Sequence, residues 1–237
     1  MIVNNTKKVL LVTGSSRGIG KFIAEYYCKL DYTVIGCSRN DGTIDHPNYH
    51  HRCLDISFEK EILELFKYIR QNFKRLDILI NNAAINPAII SGALLPYSTM
   101  EKIFKVNVFA PMLFCREAIK LMLRNKSGRI VNIGSMAAKH EVAGEALYTS
   151  TKSALNSYTR VLAKEVSKMG ITVNVVAPAA IQTELSAQIN QAALTEVLSR
   201  NAISQYGELG DVTNTLDFLI RNESSAITGQ IIYLGGA

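Results

Sequence analysis

From Val9 onward, short apolar and β-branched runs alternate with longer stretches whose apolar residues recur at three- and four-residue spacing. A run that is apolar throughout must be covered on both sides, and a helix with one apolar stripe must bury that stripe. Repeated alternation of the two therefore specifies an α/β fold, a parallel sheet with helices on both faces. Strands are expected at 9–12, 33–38, 50–54, 78–80, 129–133, 172–176 and 231–234, enough for one doubly wound, seven-stranded sheet. Helices are expected at 19–30, 58–73, 100–125, 148–169 and 212–220, with Ile62, Leu65, Phe66 and Ile69 forming one such stripe. The stretch 40–48 contains Asp, Gly, His and Pro and is expected to be an irregular crossover.

At 237 residues the chain fits a single domain that buries roughly 70% of its unfolded surface. No repeat, low-complexity tract or linker divides it, so 1–237 is expected to be one domain. Within it, 183–206 follows a strand end and is a candidate substrate lid, with an ordinary surface helix pair as the alternative. The net charge of +6 comes from Lys and Arg scattered along the chain, with no run longer than Lys7-Lys8. That distribution argues against nucleic acid, while a basic surface favours a phosphorylated cofactor or an acidic carrier protein through steering.

Cys28, Cys37, Cys53 and Cys115 contain no Cys-x-x-Cys pair, and three of them fall in segments expected to be buried. Reduced core thiols follow, consistent with the cytoplasm. His50 and His51 are neighbours on an expected strand and point to opposite faces, so they do not chelate together, and no metal site is expected. No stretch reaches the ~18 apolar residues of a membrane span, and 9–12 is shorter than the roughly 7–15 residues of a signal-peptide core. Neither a membrane nor a secretory signal is expected.

Thr13-Gly14-Ser15-Ser16-Arg17-Gly18-Ile19-Gly20 follows the first strand and opens the first helix. Glycines there permit a tight turn, close approach of a pyrophosphate to the backbone, and anion binding at a helix N-terminus, as in a Rossmann fold. Enzymes of that fold that select NAD carry an acid about 20 residues later, at the adenosine ribose. Here the second strand ends in Ser38-Arg39. Ser38 brings no repulsion toward a 2′-phosphate, and the guanidinium groups of Arg39 and Arg17 are matched to one, which favours NADP(H).

Tyr148 and Lys152 lie four residues apart, hence on one face of a helix. A phenol starts near pKa 10, so proton exchange near neutrality needs a shift worth about 4 kcal/mol. A positive charge about 4 Å away, at an effective dielectric near 20, contributes roughly that much. Lys152, together with an oxidised nicotinamide, is the expected source. Ser135 stands thirteen residues before Tyr148, at the end of a strand, and Asn107 lies in Lys105-Val106-Asn107-Val108.

Taken together, the Gly-x-x-x-Gly-x-Gly loop, Asn81-Asn82-Ala83-Ala84 and the Asn107-Ser135-Tyr148-Lys152 set resemble the short-chain dehydrogenase/reductase family over nearly the whole chain. The resemblance implies that Tyr148 gives its proton to a developing alkoxide as hydride reaches a carbonyl carbon, and that Ser135 orients the carbonyl oxygen. It further implies that Lys152 binds the nicotinamide ribose and that Asn107 holds a water linking Lys152 to solvent. Gly14, Ser16, Arg17, Gly18, Ile19, Gly20, Ser38 and Arg39 would hold the phosphates and adenosine. Asp55 with Ile56 would meet the adenine, Asn82, Ala83 and Ala84 would line the cofactor, and Pro178, Ile181 and Thr183 would close over the nicotinamide end. Ala84 and Ala179 stand where the family usually has glycine; if position 179 needs positive φ, alanine costs about 1 kcal/mol.

Around Gly170-Ile171-Thr172-Val173-Asn174-Val175-Val176-Ala177-Pro178 the chain is most similar to 3-oxoacyl-(acyl-carrier-protein) reductases. That similarity implies an acyl-thioester substrate, with acyl carrier protein as a candidate partner, and a homotetramer built on the two long helices. Met169 replaces a basic residue that carrier-binding members often have, leaving Arg129 and Lys168 available. A reductase of a sugar, steroid or small alcohol is the nearest alternative, and a non-catalytic nucleotide-sensing protein is the alternative of another class.

Overall fold

The computed structural model describes residues 7–86, 90–181 and 198–236. Among them, seven strands form one sheet in the order β3-β2-β1-β4-β5-β6-β7, with every neighbouring pair parallel. They are β1 Val9–Thr13, β2 Thr33–Ser38, β3 Tyr49–Cys53, β4 Ile78–Asn81, β5 Gly128–Ile133, β6 Ile171–Ala177 and β7 Ile231–Tyr233. All seven expected strands are present, displaced at their ends by one residue or less. The stretch 40–48 carries no helix and crosses irregularly.

Alternation along β1 shows how the sheet is clothed. Val9 and Leu11 join a core cluster with Ile62 of helix α2 (Glu59–Asn72), Phe114 of one long helix and Leu162 of another. Leu10 and Val12 face the other way, toward Ile23 of α1 (Gly18–Lys29) and toward Val212 and Leu216 near the C-terminal end. Two apolar faces on one strand thus demand a helical layer on each side. The chain leaves β1 toward β2 and later returns to its other side as β4, which opens a crevice beyond the strand ends where ligands of such sheets bind.

The helix expected over 100–125 is divided. It runs as α3 (Tyr97–Phe104), a π-helical turn over Lys105–Phe109, and α4 (Ala110–Met122), with a 3-10 turn at Leu123–Asn125. The physical cause is Pro111, one residue into α4. Proline has no N–H to give to the carbonyl of Asn107 four residues earlier, and its ring crowds that carbonyl, so the ladder widens and Ala110 N–H reaches Lys105 instead. A short helix α5 (Ala137–His140) was not anticipated, because four residues carry no periodicity. The last two helices, α6 (Ala146–Val166) and α7 (Leu209–Ile220), begin two and three residues ahead of expectation.

Arg129 corrects one expectation. It is 8% exposed within β5 and donates to the carbonyls of Gly128 and Gly170, so it offers no surface charge to a carrier protein. Its position in a strand covered on both faces is the reason. Lys168 is exposed. Cys28, Cys37 and Cys115 are buried and Cys53 is exposed, all as free thiols. His50 packs edge-on against Phe73 while His51 lies beside Tyr49, on the opposite face. Among the described residues no helix is long and apolar enough to cross a membrane.

Candidate functional site

A cleft of about 750 Å³ opens at the C-terminal ends of the strands. Its floor at one end is the turn from β1 into α1. Gly14 has φ +73°, and a Cβ there would lie 2.9 Å from Ala83 Cα, so only glycine allows the loop to press on the segment after β4. Gly20, one turn into α1, does not line the cleft: a Cβ on it would lie 2.2 Å from the Gly14 carbonyl oxygen. Its role is to let α1 approach the loop closely.

Asn82 locks this arrangement from behind. Its Nδ2 donates to the Thr13 and Gly14 carbonyls at 2.9 and 3.3 Å, while the Asn82 and Ala83 N–H groups both donate to Thr13 Oγ1. Thr13 was not singled out in the sequence, because a strand-end threonine has no distinguishing pattern. The first turn of α1 carries no acid and no side-chain cap, so its N–H groups and positive dipole end face the cleft beside Ser16, Arg17 and Gly18. Ser38, Arg39, Asp55 and Ile56 line the same end. No carboxylate stands at the end of β2, and the shape and charge there fit an anionic dinucleotide carrying an additional phosphate.

At the other end of the cleft, β5 and α6 bring Ser135, Tyr148 and Lys152 together. Tyr148 is 9% and Lys152 3% exposed. The Lys152 ammonium donates to the Ile133 carbonyl at 2.8 Å and lies 5.7 Å from the Tyr148 ring centroid. Burial pushes the Tyr148 phenol up to about 12; its hydrogen bond with Ser135 opposes this, and the Glu145 carboxylate adds to it. Burial pushes Lys152 down to about 8. In the chain alone burial sets the direction of both shifts, and the ammonium is directed at a carbonyl of β5.

Asn107 stands apart from the cleft lining. It is 1% exposed, accepts from Ile85 N–H at 2.9 Å, and donates to the Ile85 carbonyl at 2.8 Å and to Thr151 Oγ1 at 3.2 Å. It thus ties the segment after β4 to α6 one residue from Lys152. Asn82, Ala83, Ala84, Pro178 and Ile181 line the cleft, and neither Ala84 nor Ala179 has positive φ, so alanine is unstrained at both positions. Thr183 and the rest of the 183–197 part of the expected lid lie outside the described residues. The remainder, 198–206, is hydrogen-bonded to the C-terminal strap through Ile203 N–H to Gly235 and Ala202 N–H to Gly236.

Residues missed in the sequence lie beneath and beside the cleft. Asn81 donates to Asn132, which donates to Thr159, a buried chain from β4 through β5 to α6. Asparagines in the middle of apolar strands were the available signal, since a buried amide requires a partner. Glu145 and His140 line the mouth near Tyr148; burial raises the Glu145 carboxyl, and His140 Nε2 is 2.7 Å from Asn201 Oδ1.

Residues 8–194 match the model of the short chain dehydrogenase family. The chain is 33% identical to 3-oxoacyl-(acyl-carrier-protein) reductase FabG of Buchnera aphidicola subsp. Baizongia pistaciae, over 99% of this chain and 98% of that protein. It is 34% identical to carbonyl reductase family member 4 of Xenopus laevis, over 97% of each chain. Among solved structures it resembles ElxO with NADP bound at TM-score 0.88 and 29% identity, covering 97% of both chains. With the parallel sheet, the glycine turn and the match over most of its length, the chain belongs to the short chain dehydrogenase family.

Proposed function

We propose that the protein is an NADP(H)-dependent carbonyl reductase whose substrate is a 3-oxoacyl thioester. The observation that carries the reaction class is the convergence of Ser135, Tyr148 and Lys152 at one end of a cleft whose other end is the glycine turn with Arg17 and Arg39. The dinucleotide supplies the hydride. Tyr148, protonated throughout the neutral range because burial holds its pKa high, donates to the oxygen that gains charge as the carbonyl carbon is reduced. Ser135 Oγ, already bonded to the phenol, holds that oxygen in line. Lys152 keeps one donor on the Ile133 carbonyl, which fixes its direction, and lines the cleft where its others would hold the ribose hydroxyls of a bound dinucleotide. Asn107 fixes the start of the segment that lines the cleft and holds Thr151 beside Lys152.

NADP(H) is supported by Ser38-Arg39 at the end of β2 and by the structural likeness to ElxO with NADP bound. The thioester is supported by full-length similarity to 3-oxoacyl-(acyl-carrier-protein) reductases. A ketone substrate without a carrier is favoured by two observations: Met169 takes the place of a basic residue, and Arg129 is internal. A screen of NADPH oxidation over acetoacetyl thioesters, keto-sugars and simple ketones separates the two. Preference for the thioester supports the first, and turnover confined to free ketones supports the second.

A homotetramer completes the proposal. Phe109 and Val161 stand 52% and 53% exposed on the two long helical elements, and light scattering of the purified chain measures the assembly.

A further inference from the structure

A file of side chains joins the glycine turn to the end of β2 from beneath, and none of its middle members lines the cleft. Ser15 Oγ is 2.8 Å from Tyr49 Oη, and Tyr49 Oη is 2.7 Å from His51 Nδ1. His51 Nε2 is 2.9 Å from the Asn40 carbonyl oxygen and 3.2 Å from Ser38 Oγ, which itself donates to the same carbonyl at 2.7 Å. A carbonyl only accepts, so His51 Nε2 donates to Asn40, and in that tautomer Nδ1 accepts. Tyr49 then spends its one proton on His51, and Ser15 donates to Tyr49. Burial holds the Tyr49 phenol up at about 12, so that proton is present throughout the neutral range. Every bond in the file has one direction, and each member has the partner that its neighbours require.

The backbone makes room for it. A Cβ at Gly36 would lie 2.2 Å from Tyr49 Oη and 2.4 Å from Ser15 Oγ, and one at Gly42 would lie 2.7 Å from the His51 ring. Both glycines are thus required by the side chains rather than by a turn. The file ends on the carbonyl next to Arg39, the residue that brings a guanidinium into the adenosine end of the cleft. Arg39 lies on an exposed turn between Ser38 and Asn40, and both flanking residues are held by His51.

We infer that Tyr49 and His51 are positioning residues for cofactor selection: they fix the Ser38–Asn40 turn against the glycine turn, so that Arg39 is presented to a 2′-phosphate. The inference rests on the NADP(H) reading and adds to it a source of discrimination that touches no ligand. A dinucleotide without the 2′-phosphate has nothing at Arg39 to lose, so disordering the turn affects NADPH and spares NADH.

The test titrates the purified full-length chain with NADPH and with NADH, following the fluorescence of the reduced cofactor, for the wild type, Tyr49→Phe, His51→Leu and His51→Gln. Losing the hydrogen bonds that hold the turn is expected to weaken NADPH by about tenfold in His51→Leu. NADH affinity and kcat stay within about twofold, the ratio expected where no contact is lost. Tyr49→Phe removes one hydroxyl and shifts NADPH in the same direction by less. His51→Gln, whose amide can still donate to Asn40, recovers part of the loss. Equal weakening of NADPH and NADH, or no change in either, overturns the proposal. Should His51→Leu fail to fold, the conservative Tyr49→Phe variant decides by the same ratio. A wild-type chain that binds NADPH no more tightly than NADH is a separate outcome: it removes the NADP(H) reading itself, and the proposal falls with it.

Discussion

At the β5–α6 end of the cleft, Tyr148 and Lys152 are 9% and 3% exposed and their proton affinities are displaced by burial in opposite directions. At the β2–β3 end, Arg39 and Asn40 are exposed, and half-buried Ser38 and the Asn40 carbonyl are held by hydrogen bonds to His51. The first end keeps its groups reactive by withholding water from them. The second end keeps a charge available by leaving it in water and fixing only the backbone beneath it. Variants at the chemical end should therefore alter rate and pH dependence, and variants at the adenosine end should alter affinity and selectivity.

The largest test of that division is Tyr148→Phe, which is expected to lower turnover by about a thousandfold while NADPH binding stays nearly unchanged. Surviving turnover with a competent ketone would remove the phenol from its role. Next in size, Arg39→Asp is expected to weaken NADPH by about tenfold to a hundredfold and NADH far less, as measured by cofactor titration. Equal loss would break the phosphate assignment and with it the contrast between the two ends.

A third test uses pH. Lys152 is pushed down to about 8, so its charge is lost as pH rises through that value, and kcat/KM for reduction should fall by about tenfold per unit above it. Over the same window its contribution to stability moves the other way. Between about 8 and the ordinary lysine value of 10.5 the unfolded chain binds the proton that the folded chain has released, so stability rises with pH. Denaturant midpoints and rates measured from pH 7 to 10 should diverge, and parallel curves would show that Lys152 is not the titrating group. The smallest effect is expected from Ala179→Gly. With no positive φ at that position, glycine relieves nothing and adds unfolded-state freedom, lowering stability by about 0.5 kcal/mol with activity intact.

Much of this was legible before any coordinates. The approximate limits of β1, β2, β4, β5 and β6 followed from apolar runs, because a strand covered on both faces has no choice of composition, whereas β3, with His50, His51 and Arg52, is an edge strand and no such run. Gly14 and Gly18 followed from the interval a turn imposes and the pairing of Tyr148 with Lys152 from that of a helical face, while Ser135 and Asn107 came from the resemblance to the family. The division of 100–125 was readable in principle from Pro111, but its outcome, a π turn carrying Asn107, depends on what the widened ladder packs against. Arg129 illustrates the opposite failure: an arginine in a chain reads as surface charge until the strand that carries it is found to be covered.

The sequence by itself determined the layering of the fold, the glycine turn between β1 and α1, and the placing of Tyr148 and Lys152 on one helical face, since these depend on local periodicity and backbone stereochemistry. Only the tertiary structure decided how deeply Tyr148 and Lys152 are buried, that Asn107 ties Ile85 to Thr151 beside the cleft, and that Tyr49 reaches the glycine turn while His51 reaches the end of β2. Those properties depend on how far water is excluded and on which side chains from distant strands share one hydrogen-bonded file, and neither is encoded in the spacing of residues along a single chain.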